Sequence, residues 1–334
     1  MSTHAKRRGL LQVRRGGGLA GVLALTGLVA GCPSFHAEGL RDEAPSARGA
    51  GVDNARFLKV DGVDLRVLDE GPRGAPVVTL LHGFGSSLET WRGVAPRLAE
   101  TYRVVSLDLK GFGLSGRPGP DDGDGSLGDY GPEAQARLVA HVLDQLGVKE
   151  TAVVAHSWGS SVALAFAVAA KNRVTRLALL GAWIYDEQLP PFFRWAKAGG
   201  MGELLFSLYY KERPDERMAR AFYDPERLEE AYVEEVLEML DRPGTVAAAL
   251  AAVRGQDYVA LAQRYPEVKQ PTLLLWGRED RVAPVAFGER LARDLAHARL
   301  IVYPRCGHFP QVEARTAVLD DLVAFLAGRD GGPR

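Results

Sequence analysis

The residues with the clearest chemical potential lie around Ser157, in Ala155-His156-Ser157-Trp158-Gly159. The apolar run Thr151 to Ala155 leads into this serine, and a second apolar run, Ser160 to Ala170, follows at once. A short strand turning directly into a buried helix lifts one side chain out at the sheet edge, and small neighbours let the backbone turn that sharply. Ser157 is thereby a candidate nucleophile. A serine at a strand-to-helix junction also reads as a simple helix N-cap, so other residues must decide.

A serine hydroxyl is a weak nucleophile near neutral pH. It needs a histidine to take its proton and an acid to orient that histidine. Of the seven histidines, His4 and His36 lie in or just after the basic N-terminal segment, and His141 and His297 fall within helical patterns. His156 adjoins Ser157, but successive side chains of a strand point to opposite faces, so it is not expected to serve that hydroxyl. His82 opens His82-Gly83-Phe84-Gly85 and is expected to brace that loop. His308, in Cys306-Gly307-His308-Phe309-Pro310 after the strand-like 299–303, remains as the base. The strand 271–276 ends in Gly277-Arg278-Glu279-Asp280, placing carboxylates at the edge where open α/β sheets form their sites. Asp280 is preferred over Glu279 because its shorter side chain is more easily held rigid against an imidazole.

Serine, aspartate and histidine then occur in the chain order of one particular fold. On four motifs the chain resembles the α/β-hydrolases over about residues 56–328: His82-Gly83-Phe84-Gly85, the run from Asp108 to Pro118, the turn at Ser157, and the paired segments Gly277 to Pro284 and Gly307-His308. Ala155 stands where the G-x-S-x-G form has its first glycine. The resemblance implies a catalytic Ser157, Asp280 and His308, with the backbone N–H groups of Phe84 and Trp158 stabilising an oxyanion. It also implies a helical cap over the active edge, at 183–264. The run from Asp108 to Pro118 is assigned a structural part only.

The elements that must position these residues follow from periodicity. Residues 57–60 and 63–68 form a hairpin around Asp61-Gly62, a strong turn signal. Further strands are expected at 77–81, 103–108, 151–155, 174–180, 272–276 and 299–303, with helices at 87–100, 132–147, 158–171, 285–296 and 313–327. This alternation predicts an α/β fold, a mainly parallel sheet of the eight-stranded type with helices on both faces. The core is expected at 56–182 and 265–328. Within the cap, Asp224-Pro225 opens a helix to Leu240, and Arg242-Pro243-Gly244-Thr245 opens another through Val253. The aromatics Trp183, Tyr185, Phe192, Phe193, Trp195, Phe206, Tyr209 and Tyr210 are read mostly as packing, with some lining an apolar substrate pocket. The Gly-rich run 121–128 is a surface loop, and 329–334 a disordered tail.

The N-terminus predicts a destination. Met1 to Arg15 is basic without an acid, and 18–30 is apolar and uncharged. That is a signal peptide, residues 1–31, too short to span a bilayer comfortably. Leu28-Val29-Ala30-Gly31-Cys32 is similar to the lipobox of bacterial lipoproteins. It implies lipidation of Cys32, a tether over 32–55, and an exported enzyme held at the cell envelope, with Pro33 leaning towards an outer membrane. Lysine plus arginine number 41 against 42 acids, so no field favours nucleic acid. With only Cys32 and Cys306, no structural disulfide is expected, and no spaced Cys/His cluster points to a metal or cofactor.

The expected activity is cleavage of carboxylic esters of small to medium apolar acyl compounds through an acyl-enzyme. An alternative is hydrolysis of carbon–carbon bonds in ring-fission products, to whose hydrolases the segments Trp276 to Arg281 and Cys306 to His308 look similar. An alternative of another class is a non-catalytic, membrane-tethered binding protein, a role that usually accompanies loss of a triad residue.

Overall fold

The structure is a computed structural model that describes residues 55–119, 128–210 and 214–329. The signal segment, Cys32, most of the tether, the loop 121–127 and the tail beyond Arg329 lie outside the described residues.

Eight strands form one sheet: β1 (Arg56–Val60), β2 (Val63–Glu70), β3 (Val77–Leu81), β4 (Arg103–Leu107), β5 (Thr151–His156), β6 (Val174–Leu180), β7 (Thr272–Gly277) and β8 (Ala298–Tyr303). Their spatial order is β1-β2-β4-β3-β5-β6-β7-β8. The pairs β1–β2 and β2–β4 are antiparallel, and all others are parallel. Asp61 and Gly62 join the first two strands with φ of 49° and 82°, the left-handed pair that a tight hairpin requires.

The strands β5 and β7 are buried at every position because both faces of the sheet are covered. Val153 and Ala155 of β5, Leu177 and Leu179 of β6, and Leu274 and Trp276 of β7 enter one core. Their neighbours Ala152, Val154, Ala178, Leu180, Leu273 and Leu275 enter the other. Helices α2 (Pro132–Gln145) and α3 (Gly159–Ala169) contribute Val139, Val142, Val162 and Phe166 to the first core. The short α1 (Ala95–Ala99) contributes Ala95 and Leu98 to the second. The stretch expected as one helix over 87–100 is instead a 3-10 turn, Leu88–Trp91, followed by α1.

Between β6 and β7 the chain forms α4 (Pro191–Ala196), α5 (Met201–Tyr209), α6 (Pro214–Ala221), α7 (Glu230–Asp241), α8 (Thr245–Arg254) and α9 (Tyr258–Gln263). Their inner faces share a third core around Phe206, Tyr210, Val236, Leu240, Leu250 and Val253. The helix expected from Asp224 to Leu240 is broken. Asp224 does cap, accepting from the Glu226 N–H at 3.2 Å, but only over a 3-10 turn, Pro225–Arg227. The extended Leu228 and Glu229 then separate it from α7. The cause is tertiary: the Arg227 guanidinium donates to the Glu313 carbonyl oxygen at 2.5 Å, and the Glu313 carboxylate accepts from the Tyr223 N–H at 2.7 Å. After β7 come α10 (Val285–Asp294), the short α11 (Pro310–Glu313) and α12 (Arg315–Leu326), the last being the helix expected at 313–327.

Candidate active site

Ser157 sits between β5 and α3 with φ of 51°, a left-handed conformation that a non-glycine residue holds only when its surroundings impose it. Its N–H donates to the Leu180 carbonyl oxygen at 2.9 Å, and its own carbonyl oxygen accepts from the Trp183 N–H at 3.1 Å. Close approach explains the small neighbours. A methyl at Gly159 would stand 2.4 Å from the His82 carbonyl oxygen, and one at Gly83 would stand 3.0 Å from the Ser157 Cβ.

The structure brings the three residues of the sequence reading together. His308 Nε2 lies 2.9 Å from Ser157 Oγ, and His308 Nδ1 lies 2.9 Å from Asp280 Oδ2. Only 4–5% of each residue is exposed. A carboxylate can only accept, so Nδ1 carries the proton and the Nε2 lone pair faces the serine. The other oxygen of Asp280 accepts from the N–H groups of Val282 and Ala283 at 2.9 and 2.8 Å, which fixes the carboxylate. Glu279 turns elsewhere, accepting from the Cys306 N–H at 3.0 Å. The His308 N–H donates to the Ala221 carbonyl oxygen at 2.7 Å, so the end of α6 holds the histidine loop.

Trp158 immediately follows the serine, ahead of α3, and Phe84 follows Gly83, so both residues named for an oxyanion adjoin Ser157. Their rings meet edge to face at 5.9 Å. His82 braces the Phe84 loop: Nδ1 donates to the Gly83 carbonyl oxygen at 2.7 Å, and Nε2 accepts from the Leu109 N–H at 2.9 Å. Burial pushes its pKa down, in keeping with this neutral form. Asp108 accepts from the N–H groups of Leu88 and Leu114 at 2.7 and 2.8 Å, with the buried Arg66 guanidinium 3.6 Å away, and so ties together the loops around His82. Cys306 is buried, and its thiol pKa is pushed up by burial and by the carboxylates of Glu313, Asp280 and Glu279.

His156 has a part that sequence reasoning missed. Its side chain reaches the histidine loop, where Nε2 donates to the His308 carbonyl oxygen at 2.8 Å. Burial and the neighbouring His308 hold its pKa well below the ordinary value. No local signal could have found it, because the partner lies 152 residues further along the chain.

A cavity of about 510 Å³ opens between the sheet edge and the inserted helices. Phe84, Gly85 and Phe309 line it from the core, and Phe192, Phe193, Tyr210, Met218, Val236 and Leu240 from the insertion. Arg217 is the one cation among its described lining residues; it donates to the Tyr210 carbonyl oxygen at 2.5 Å. Of the aromatics between β6 and β7, Tyr185 instead packs on Tyr265 and Phe287 and bonds to Asp294, and Trp195 faces solvent. Among the described residues no group of three or more His, Cys, Asp or Glu side chains could hold a metal.

Residues 76–314 match the family described as alpha/beta hydrolase fold. A curated relative from Cupriavidus pinatubonensis, a 2-hydroxy-6-oxononadienedioate/2-hydroxy-6-oxononatrienedioate hydrolase, is 31% identical over 81% of this chain and 95% of its own length. The crystal structure of Cfl2 from Burkholderia cenocepacia superposes with a TM-score of 0.71 at 28% identity, covering 81% of this chain and 95% of that one. That of a bacterial membrane phospholipase A superposes with a TM-score of 0.64 at 26% identity, covering 83% and 87%.

Proposed function

The chain belongs to the alpha/beta hydrolase fold family, and from that premise we propose that it is a serine hydrolase cleaving a carbon–carbon bond in 2-hydroxy-6-oxo-dienoic acids. The observation that carries the hydrolase reading is the hydrogen-bonded line from Ser157 through His308 to Asp280, with Phe309, the residue after His308, lining an apolar cavity. In this reading Ser157 Oγ attacks the 6-oxo carbonyl carbon while His308 Nε2 takes its proton, and Asp280 holds the tautomer and stabilises the imidazolium. The N–H groups of Phe84 and Trp158 bind the oxyanion. With the substrate in its 2-keto form, the bond between carbons 5 and 6 then breaks. Its electron pair runs through the remaining double bond to the 2-oxo oxygen, and the His308 proton neutralises the dienolate. Water attacks the acyl-serine with His308 as base, and the acid leaves.

Two things favour this bond over an ester. The curated relative named for such a reaction spans nearly its whole length on this chain. Arg217 also places a positive charge at the wall of an otherwise apolar cavity, suited to a substrate that carries a carboxylate. The second reading is a carboxylesterase for small to medium acyl chains. It is favoured by the remaining wall of phenylalanine, leucine, valine and methionine, and by likeness to the structure of a bacterial membrane phospholipase A. Parallel assays on 2-hydroxy-6-oxohepta-2,4-dienoate and 4-nitrophenyl butyrate decide between them. At least tenfold higher kcat/KM on the dienoate supports carbon–carbon cleavage; turnover of the ester alone, lost in Ser157→Ala, supports the esterase.

The place of action is a further part of the proposal. The basic and apolar segment ending at Cys32 supports export followed by lipidation, since several acyl chains on one cysteine give stable anchoring. The protein is then expected in the membrane fraction, and Cys32→Ser is expected to lose incorporated palmitate.

A further inference from the structure

Helix α5 is apolar on two sides. Its inner face buries Phe206 against Phe192, with the rings stacked at 5.2 Å, and Gly202 lies so close to α4 that a methyl there would stand 2.2 Å from the Ala196 carbonyl oxygen. A helix packed in this way on the outside of a protein is expected to carry polar residues on its other face. Here that face carries Met201, Leu204 and Leu208, spaced as one stripe and 50–55% exposed. On the adjoining α4, Trp195 is 62% exposed. The acid on α5, Glu203, is held by both terminal nitrogens of Arg254 at 2.7 and 2.9 Å, which lowers its pKa to about 2 and offsets its charge. Arg194 and Lys197 are exposed beside the tryptophan. A tryptophan, three long apolar side chains and flanking cations are the composition of a surface that lies in the headgroup region of a bilayer.

We propose that the outer face of α4 and α5 docks onto an anionic lipid surface. The commitment to lipid comes from the chain ahead of Ala55. Its apolar run ends at Cys32, and the residues from there to Ala55 reach at most about 80 Å when extended, which keeps the domain within contact distance of an anchoring membrane. The argument rests on the anchoring proposed above, and is independent of which bond is cleaved. Phe192, Phe193 and Tyr210, at the inner side of the same two helices, line the cavity, so an apolar substrate dissolved in the bilayer would meet the helices that wall its binding site.

Trp195 provides its own probe, because Trp91, Trp158 and Trp276 are buried and Trp183 is half-buried, stacked with Phe193. The full lipidated chain is reconstituted in phosphatidylethanolamine and phosphatidylglycerol vesicles whose acyl chains carry bromine, and tryptophan quenching is measured. Docking predicts quenching that exceeds the Trp195→Phe background at least twofold, and that falls to this background in Leu204→Glu and in Met201→Glu/Leu208→Glu while hydrolysis of a soluble substrate is kept. Emission from Trp195 unaffected by the brominated lipid overturns the proposal. Flotation of the vesicles then separates the two failures: protein that floats is anchored but undocked, whereas protein that does not float lacks the anchor. Protection of Trp195 from acrylamide that rises with protein concentration in the absence of lipid would also overturn it, in favour of a second copy of the chain.

Discussion

The ring of His156 donates from Nε2 to the backbone carbonyl oxygen of His308 at 2.8 Å, and the two rings lie 4.8 Å apart. The histidine loop is thus fixed from the strand that leads into Ser157, by a side chain that burial keeps neutral.

This requirement gives stability a definite pH dependence. The pKa values of His156 and His82 are both pushed down by burial, so below the ordinary value of 6.5 the unfolded chain binds protons that the folded one does not. Stability is therefore retained above pH 6.5 and lost as pH falls below it, by at most about 1.4 kcal/mol per pH unit for each histidine. Denaturant unfolding between pH 7.5 and 5.5 should show this loss setting in below pH 6.5, and His156→Gln, which keeps an N–H donor, should remove half of it or more. An unchanged slope in that variant would contradict the assignment.

The two neighbouring carboxylates should differ sharply. Asp280→Asn loses the acceptor that sets the tautomer of His308 and is expected to lower kcat by about four orders of magnitude. Glu279→Gln keeps an acceptor for the Cys306 N–H and should change kcat less than about threefold. Steady-state kinetics on both variants checks the pair; equal losses would mean that the wrong acid has been named.

Much of this site was legible because each of its residues closes an apolar run. β5 ends at His156, one residue before Ser157, β7 ends at Gly277, three before Asp280, and β8 ends at Tyr303, five before His308. A strand buried on both faces leaves a strong signal, and short loops at its carboxyl end leave little freedom in where the next side chain goes. The inserted helices left weaker signals. Asp224-Pro225 has the chemistry of a helix start, yet Arg227 and Glu313 hold that stretch against the histidine loop, a contact that no local pattern contains. The position of Arg217 in the cavity and the hydrogen bond of His156 are likewise long-range facts.

Gly159→Ala tests the close approach at the serine turn. The added methyl would press on the carbonyl oxygens of His82 and Leu81, both backbone atoms that cannot rotate away. The expected cost is about 2 kcal/mol or more of stability together with loss of turnover, since any relief moves Ser157 or the Phe84 loop. Thermal unfolding and kcat are the two readouts, and near-wild-type values in both would contradict the geometry.

Arg217→Met should separate substrates by charge. On a dienoate, loss of the guanidinium is expected to raise KM about tenfold, equivalent to about 1.4 kcal/mol. On a neutral 4-nitrophenyl ester KM should stay within about twofold. Equal changes on both substrates would show that Arg217 serves the helices and not the ligand.

The account stands on Ser157 being activated by His308, and covalent labelling tests this most directly. After incubation with a fluorophosphonate, intact-mass and peptide analysis should find one adduct, on Ser157, abolished in Ser157→Ala and slowed at least a thousandfold in His308→Ala. A protein that stays unmodified, or is modified at another serine with Ser157 untouched, would contradict it.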